Sequence, residues 1–139
     1  GIEPNPTTDQ EVHHFTYALY PHAETWRAAG TVREAFFLNQ PALAVAGGTP
    51  GDTFCLAACA APNVVVETIK QAEDGDGIIV RMYESENALT DTVLHWGRPV
   101  TEAVSCDCME QPDGEPVTVE ADGIHFTIKP YEIKTLRIR

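Results

Sequence analysis

Positive charge is scarce in this sequence: 9 Lys+Arg stand against 21 Asp+Glu, for a net charge of −12. No local cluster offsets the deficit, because the densest basic stretch is the short tail Lys134, Arg137 and Arg139. A phosphate backbone or an anionic bilayer would be repelled, so neither nucleic acid nor membrane is expected as a partner. Long apolar runs are missing as well. The longest, 54–61, falls far short of the roughly 20 residues that cross a bilayer. An N-glycosylation acceptor is also lacking, since Asn5 is followed by Pro6. The opening residues 1–9 carry neither an initiator Met nor a basic-then-apolar leader pattern. We therefore expect an excised piece in which 1–11 is a linker from a missing N-terminal region, with a cytoplasmic location.

Catalytic signatures fail one by one. There is no G-x-S-x-G elbow and no H-E-x-x-H, and 47–51 lacks the lysine and following helix that a phosphate loop requires. His13, His14, His22, His95 and His125 are scattered, and a thiol in a strand without a basic neighbour has little reason to ionise. Cys55, Cys59, Cys106 and Cys108 fall in strand-like stretches at spacings that place each pair on one face. Buried reduced thiols are the plain reading, with a four-thiolate zinc site and a disulfide as the alternatives. Carboxylates are plentiful enough for a glycosidase pair. Cross-strand ion pairing of Glu67 or Glu84 with Lys70 or Arg81 explains the most ordered of them more cheaply.

What is present points to strands. A chain of 139 residues with 43% hydrophobic residues forms one domain with a real core. Period-two alternation begins at 12–20, where Phe15, Tyr17 and Leu19 oppose His14, Thr16, Ala18 and Tyr20. Similar runs follow at 42–46, 53–60, 63–71, 77–85, 91–96, 100–109, 117–121, 124–129 and 132–138, separated by Gly-, Pro- and Asp-rich turns. About ten short strands of this kind describe an antiparallel β-sandwich over 12–139. Asp122-Gly123 is the strongest hairpin signal.

One segment departs from the alternation. Trp26, Ala29, Val32 or Arg33, and Phe36 recur at helical spacing, which predicts an amphipathic helix over about 23–38 packed on the sandwich. Asn39-Gln40-Pro41 should stop it, because the residue before a proline avoids the helical region. Its Trp/Phe stripe reads as core more readily than as a ligand platform.

Several blocks then carry a resemblance. They are His14-Phe15-Thr16-Tyr17-Ala18-Leu19-Tyr20-Pro21-His22 with Trp26, Leu38-Asn39-Gln40-Pro41, the run 64–75, Ile79-Val80-Arg81-Met82-Tyr83-Glu84, and the run 129–137. In this order they resemble the C-terminal β-sandwich region of glycoside hydrolase family 38 α-mannosidases, particularly the cytosolic, bacterial-type members. The resemblance implies a parent enzyme that hydrolyses terminal α-mannosides with retention. It implies an N-terminal catalytic barrel in which two Asp residues flank a zinc ion. None of those motifs is in this chain, so no catalytic residue and no metal ligand is assigned here, and the fragment by itself is expected to be inactive. Its expected partners are its own N-terminal catalytic domain and, through the parent, the mannoside.

Four polar residues are candidates for contacting that barrel or edging its cleft: His22, Asn39, Arg81 and Glu84. Their plainer roles are helix start, helix cap and surface pairing. As an accessory module, the fragment should leave an apolar patch uncovered when it stands alone. The alternative is a carbohydrate-binding module stacking mannosides on Trp26 and Trp96, with Tyr20, Tyr83 and Tyr131 as further candidates.

Overall fold

A computed structural model describes residues 7, 10–48, 51 and 53–139. Most of the linker expected at 1–11, and Thr49 and Pro50 of the Gly-rich loop, lie outside the described residues. One helix, α1 (Thr31–Asn39), precedes eight strands: β1 (Ala57–Cys59), β2 (Val64–Gln71), β3 (Ile78–Glu84), β4 (Thr90–Trp96), β5 (Ala103–Cys106), β6 (Val117–Glu120), β7 (Gly123–Ile128) and β8 (Ile133–Ile138). They form two four-stranded antiparallel sheets, β1-β4-β7-β6 and β2-β3-β8-β5. The expected sandwich is therefore present, with eight strands rather than ten.

Alternation builds the core. Leu94 of β4, Ile124, Phe126 and Ile128 of β7, Val80 and Met82 of β3, and Leu136 and Ile138 of β8 all point between the sheets and are buried there. The runs that make them are β-branched, as in Val64-Val65-Val66 and Ile78-Ile79-Val80, and suit a pleated, buried surface. The outer face of the β3–β8 sheet is covered by the connection from β5 to β6. There Arg81 donates to the Cys108 carbonyl, Arg137 donates to the Glu110 carbonyl, and Lys70 pairs with Glu110 at 2.8 Å. Among the described residues no helix is long and apolar enough to cross a membrane.

Several expectations need correction. The runs 12–20 and 42–46 form no strand, because among the described residues no neighbouring strand takes their backbone groups. The run 53–60 shortens to β1, and 100–109 shortens to β5. The second is cut by Asp107, whose Oδ1 accepts the N–H groups of Met109 and Gln111 at 2.8 and 2.9 Å and turns the chain. The helix starts at Thr31 instead of 23, since Gly30 sits in the left-handed region (φ 65°), and α1 buries none of its residues. Its stop is where Pro41 predicted, with Gln40 outside the helical region (φ −122°, ψ 68°).

The remaining corrections concern pairing. The β6–β7 hairpin is tight, but Glu120 pairs with Gly123, so Ala121-Asp122 is the loop. Positive φ falls on Gly123 (147°), where a Cβ would lie 2.6 Å from the Leu94 carbonyl oxygen. Cross-strand pairing of Glu67 or Glu84 with Lys70 or Arg81 does not occur. A register shift between Val66 and Thr68 leaves Glu67 without a partner across the ladder, Thr68 faces Arg81, and Val64 faces Glu84. The cysteines are free thiols: Cys106 is buried, and burial pushes its pKa up, whereas Cys55 and Cys108 are exposed. Cys59 belongs to one sheet and Cys106 to the other, which separates the two pairs.

Candidate functional site

The N-terminal arm, 10–48, runs outside the sandwich. Phe15, Tyr17 and Leu19 are 81%, 81% and 89% exposed, and Val12, Phe37, Leu38, Leu43 and Val45 are exposed too. A folded domain does not leave such a run of large apolar side chains in water without a partner for it. Past this stretch the chain turns at 25–31, where Ala29 N–H bonds the Thr25 carbonyl and Thr31 N–H the Trp26 carbonyl at 2.9 and 3.0 Å. The Tyr20 hydroxyl donates to the Ala29 carbonyl at 3.0 Å and ties the stretch to the turn. His22 lies just before this turn, with Nδ1 2.6 Å from the Glu24 carbonyl oxygen, a contact that places the ring proton on Nδ1. Asn39, the last residue of α1, folds its side chain back on the helix, with Nδ2 donating to the Ala35 carbonyl at 2.8 Å.

Where the arm meets the sandwich there is a cleft of about 350 Å³. Trp26 to Arg33 form one wall, and Pro62, Val65, Ser85 and Glu86 form the other. Trp26 is 41% exposed, and the Arg27 guanidinium lies 4.7 Å from its ring centre, a cation–π contact.

Glu84 governs the sandwich wall of this cleft from beneath. It is 2% exposed, and its carboxylate accepts four hydrogen bonds: Asn63 Nδ2 at 2.8 Å, and the backbone N–H groups of Glu86, Asn87 and Tyr131 at 2.7, 2.8 and 2.9 Å. Two of those donors belong to residues in the left-handed region, Asn87 (φ 63°) and Tyr131 (φ 55°). The carboxylate thus holds the β3–β4 and β7–β8 turns in conformations that non-glycine residues avoid. Burial alone would raise its pKa, but the hydrogen bonds from Tyr131, Asn63 and Glu86 outweigh burial and lower it to about 2.

The other candidates lie elsewhere. Arg81 is on the outer face of β3, where Nε donates to Thr135 Oγ1 at 3.3 Å, and it does not face Glu84. Trp96 ends β4, packs against the core, and lines a cleft with Gln71, Ile78, Pro99 and Ile138. That cleft is at the Gln71 end of β2, whereas the Trp26 cleft is at its Val65 end, about 20 Å away at 3.3 Å per residue. The two tryptophans therefore do not share a platform.

Sequence reasoning missed two groups. Glu110 and Arg137 are buried on the outer face of the β3–β8 sheet: Glu110 also accepts the Glu73 N–H at 2.9 Å, and Arg137 pairs with Asp74 at 2.7 Å. The Asp74-Gly75-Asp76-Gly77 turn was the available signal, since both of its aspartates receive an arginine of the tail. On the β6–β7 hairpin, Glu120, Asp122 and His125 bring their ligand atoms within 4.8 Å of one another. His125 Nε2 is 2.8 Å from Asp122 Oδ1, a bond that raises the imidazole pKa and lowers that of the carboxyl. All three are at least a third exposed.

Comparison with known proteins agrees with this architecture. Residues 63–136 match the model of the glycosyl hydrolases family 38 C-terminal beta sandwich domain. The chain is similar to alpha-mannosidase 2C1 of Homo sapiens, at 35% identity over 96% of the chain and 13% of the relative. It is similar to alpha-mannosidase 2C1 of Mus musculus at 36% identity and to alpha-mannosidase G of Dictyostelium discoideum at 31%, with the same coverage in each case. The chain thus spans only about 13% of the length of these relatives. No solved structure matches it. With β2 through β7 and most of β8 inside the matched span, the chain belongs to the glycosyl hydrolase family 38 C-terminal β-sandwich domains.

Proposed function

We propose that this chain is the non-catalytic end of an α-mannosidase, packing against the catalytic part of a parent protein that hydrolyses terminal α-mannosides with retention. The observation that carries the reading is the arm, an apolar surface from Val12 to Val45 that the sandwich leaves uncovered. Such a surface suits an interface within one long protein better than a solvent-facing module. The parent's zinc lies, on this reading, outside these residues. Among the described residues the one clustered donor set, Glu120, Asp122 and His125, sits exposed on the β6–β7 hairpin and does not fit a catalytic zinc held in a sugar cleft. No step of the hydrolysis is assigned to it. The role of this chain is to bind, cover and orient the catalytic part through the arm and the cleft around Trp26.

The test compares two proteins on an aryl α-mannoside. The parent is expected to turn it over, and this chain alone to release nothing. A parent cut short before residue 12 should lose solubility or activity. Release of the aryl group by the fragment would overturn the proposal. Chemical-shift changes at Trp26 or Trp96 on titrating the isolated chain with mannose or short α-mannosides would favour a sugar-recognition module instead.

A further inference from the structure

Within the arm, the segment 12–20 has the composition of a strand but no sheet to join. It contains no Asp, Glu, Lys or Arg, although 30 of the 139 residues are of these types. Four of its nine residues, Val12, Phe15, Tyr17 and Tyr20, are aromatic or β-branched apolar residues, which favour pleated conformations. Its large side chains alternate: Phe15, Tyr17 and Leu19 on one side, and His14, Thr16 and Ala18 on the other. That is the pattern of a strand with one covered face. Yet the segment has no strand pairing, and no backbone hydrogen bond joins it to another described residue. Pro21, which has no N–H to donate, closes it.

We propose that 12–20 adds as an edge strand to a β-sheet in the part of the parent protein that precedes this chain, with Phe15, Tyr17 and Leu19 entering that sheet's core. The inference rests on the reading of the chain as one module of a longer mannosidase. It commits to that occupant for two reasons. The matched family is described as a C-terminal domain, and the chain covers only 13% of the relatives' length, which on this reading puts the rest of the parent on the arm's side. The arm also stands on the N-terminal side of the sandwich, where that part would connect. Main-chain hydrogen bonds would supply the affinity, and pockets for alternate side chains the register.

The experiment is residue-resolved amide hydrogen exchange on the full-length parent and on this chain alone. In the parent, alternate N–H groups across 12–20 are expected to slow by roughly 100-fold, because an edge strand turns only every second donor toward its neighbour. In this chain alone the same amides should exchange as in an open peptide. Thr16→Pro and Tyr17→Pro in the parent should then differ: the substitution at the bonded position abolishes protection of the whole segment, and the other leaves most of it. Protection of β3 and β8 amides serves as the folding control in both. If the sandwich gains protection in the parent while 12–20 does not, the strand inference falls and the module reading stands. If neither gains protection, both fall. Protection of 12–20 in this chain alone, with a dimer in sedimentation, would make a second copy the occupant and overturn the inference.

Discussion

Replacing Glu84 by Gln keeps the side chain's shape and removes the charge that four donors converge on. The amide offers one carbonyl oxygen and sets an NH2 group against Asn63 Nδ2 or against the N–H groups of Asn87 and Tyr131. A carboxyl held at about 2 instead of 4.5 corresponds to roughly 3 kcal/mol of preference for the ionised form in the fold. Screening by the solvent around the two turns reduces this to about 2 kcal/mol. For a domain near this size that lowers the thermal midpoint by about 4–8 °C at pH 7. The sign in pH follows from the lowered pKa. The contribution is complete above the unfolded carboxyl's 4.5 and is lost as pH falls through the folded value of about 2. Wild type should therefore lose more stability than Glu84→Gln between pH 4.5 and 2, and the two midpoints should converge at the acid end. Calorimetry of both proteins at pH 7, 4.5, 3 and 2 measures this. Equal midpoints at pH 7, or parallel curves down to pH 2, would refute the account of Glu84 as the anion that holds the turns.

Three further outcomes are expected. Gly123→Ala puts a Cβ 2.6 Å from the Leu94 carbonyl oxygen and 2.7 Å from Val93 Cγ1 at a φ of 147°, so it should cost about 2 kcal/mol or more; urea unfolding monitors the loss. Asp122→Asn removes the bond that raises the His125 pKa, so the imidazole midpoint read by NMR should fall. The pair stabilises the fold below the unfolded histidine's 6.5, and that benefit is lost as pH rises through the raised folded value. Deleting residues 1–48 removes α1, which buries nothing, and touches no core residue between Val64 and Ile138. The sandwich midpoint should move by less than about 2 °C in a thermal melt, and a large drop would mean that the arm is part of the fold.

The sandwich was legible because its strands carry their own evidence of burial. Val64-Val65-Val66, Ile79-Val80 and Ile124 to Ile128 alternate or run apolar over lengths that only a two-layer sheet covers, and the turns between them are chemically marked. The arm was misread for the opposite reason. Alternation at 12–20 reports the conformation a segment prefers, whereas a strand also needs a neighbour, and periodicity does not show which neighbour is present. The helix boundary failed at Gly30, because apolar spacing continues across a residue whose left-handed backbone ends the turn series. Glu84 was picked out as a polar residue on a strand, but its role is set by donors from positions 63, 86, 87 and 131, which no local pattern brings together.

Those same contacts connect the sandwich's stability to the arm's position. Glu84 does not line the cleft around Trp26, but Ser85 and Glu86 do, and the Glu86 N–H is bound to the Glu84 carboxylate at 2.7 Å. Ser85 is held in addition by its backbone N–H and its hydroxyl, both donating to the Asn63 carbonyl at 2.9 and 3.0 Å. Loosening Glu84 should therefore act at the cleft before it acts on the core, because the left-handed turn at Asn87 relaxes while Val80 and Met82 keep their packing. In Glu84→Gln, amide exchange should speed up first at 85–88 and 131, with β3 and β8 still protected, and the tryptophan emission of Trp26 should shift while that of Trp96 does not. An emission change confined to Trp96 would place the coupling at the other end of the sandwich and contradict this route.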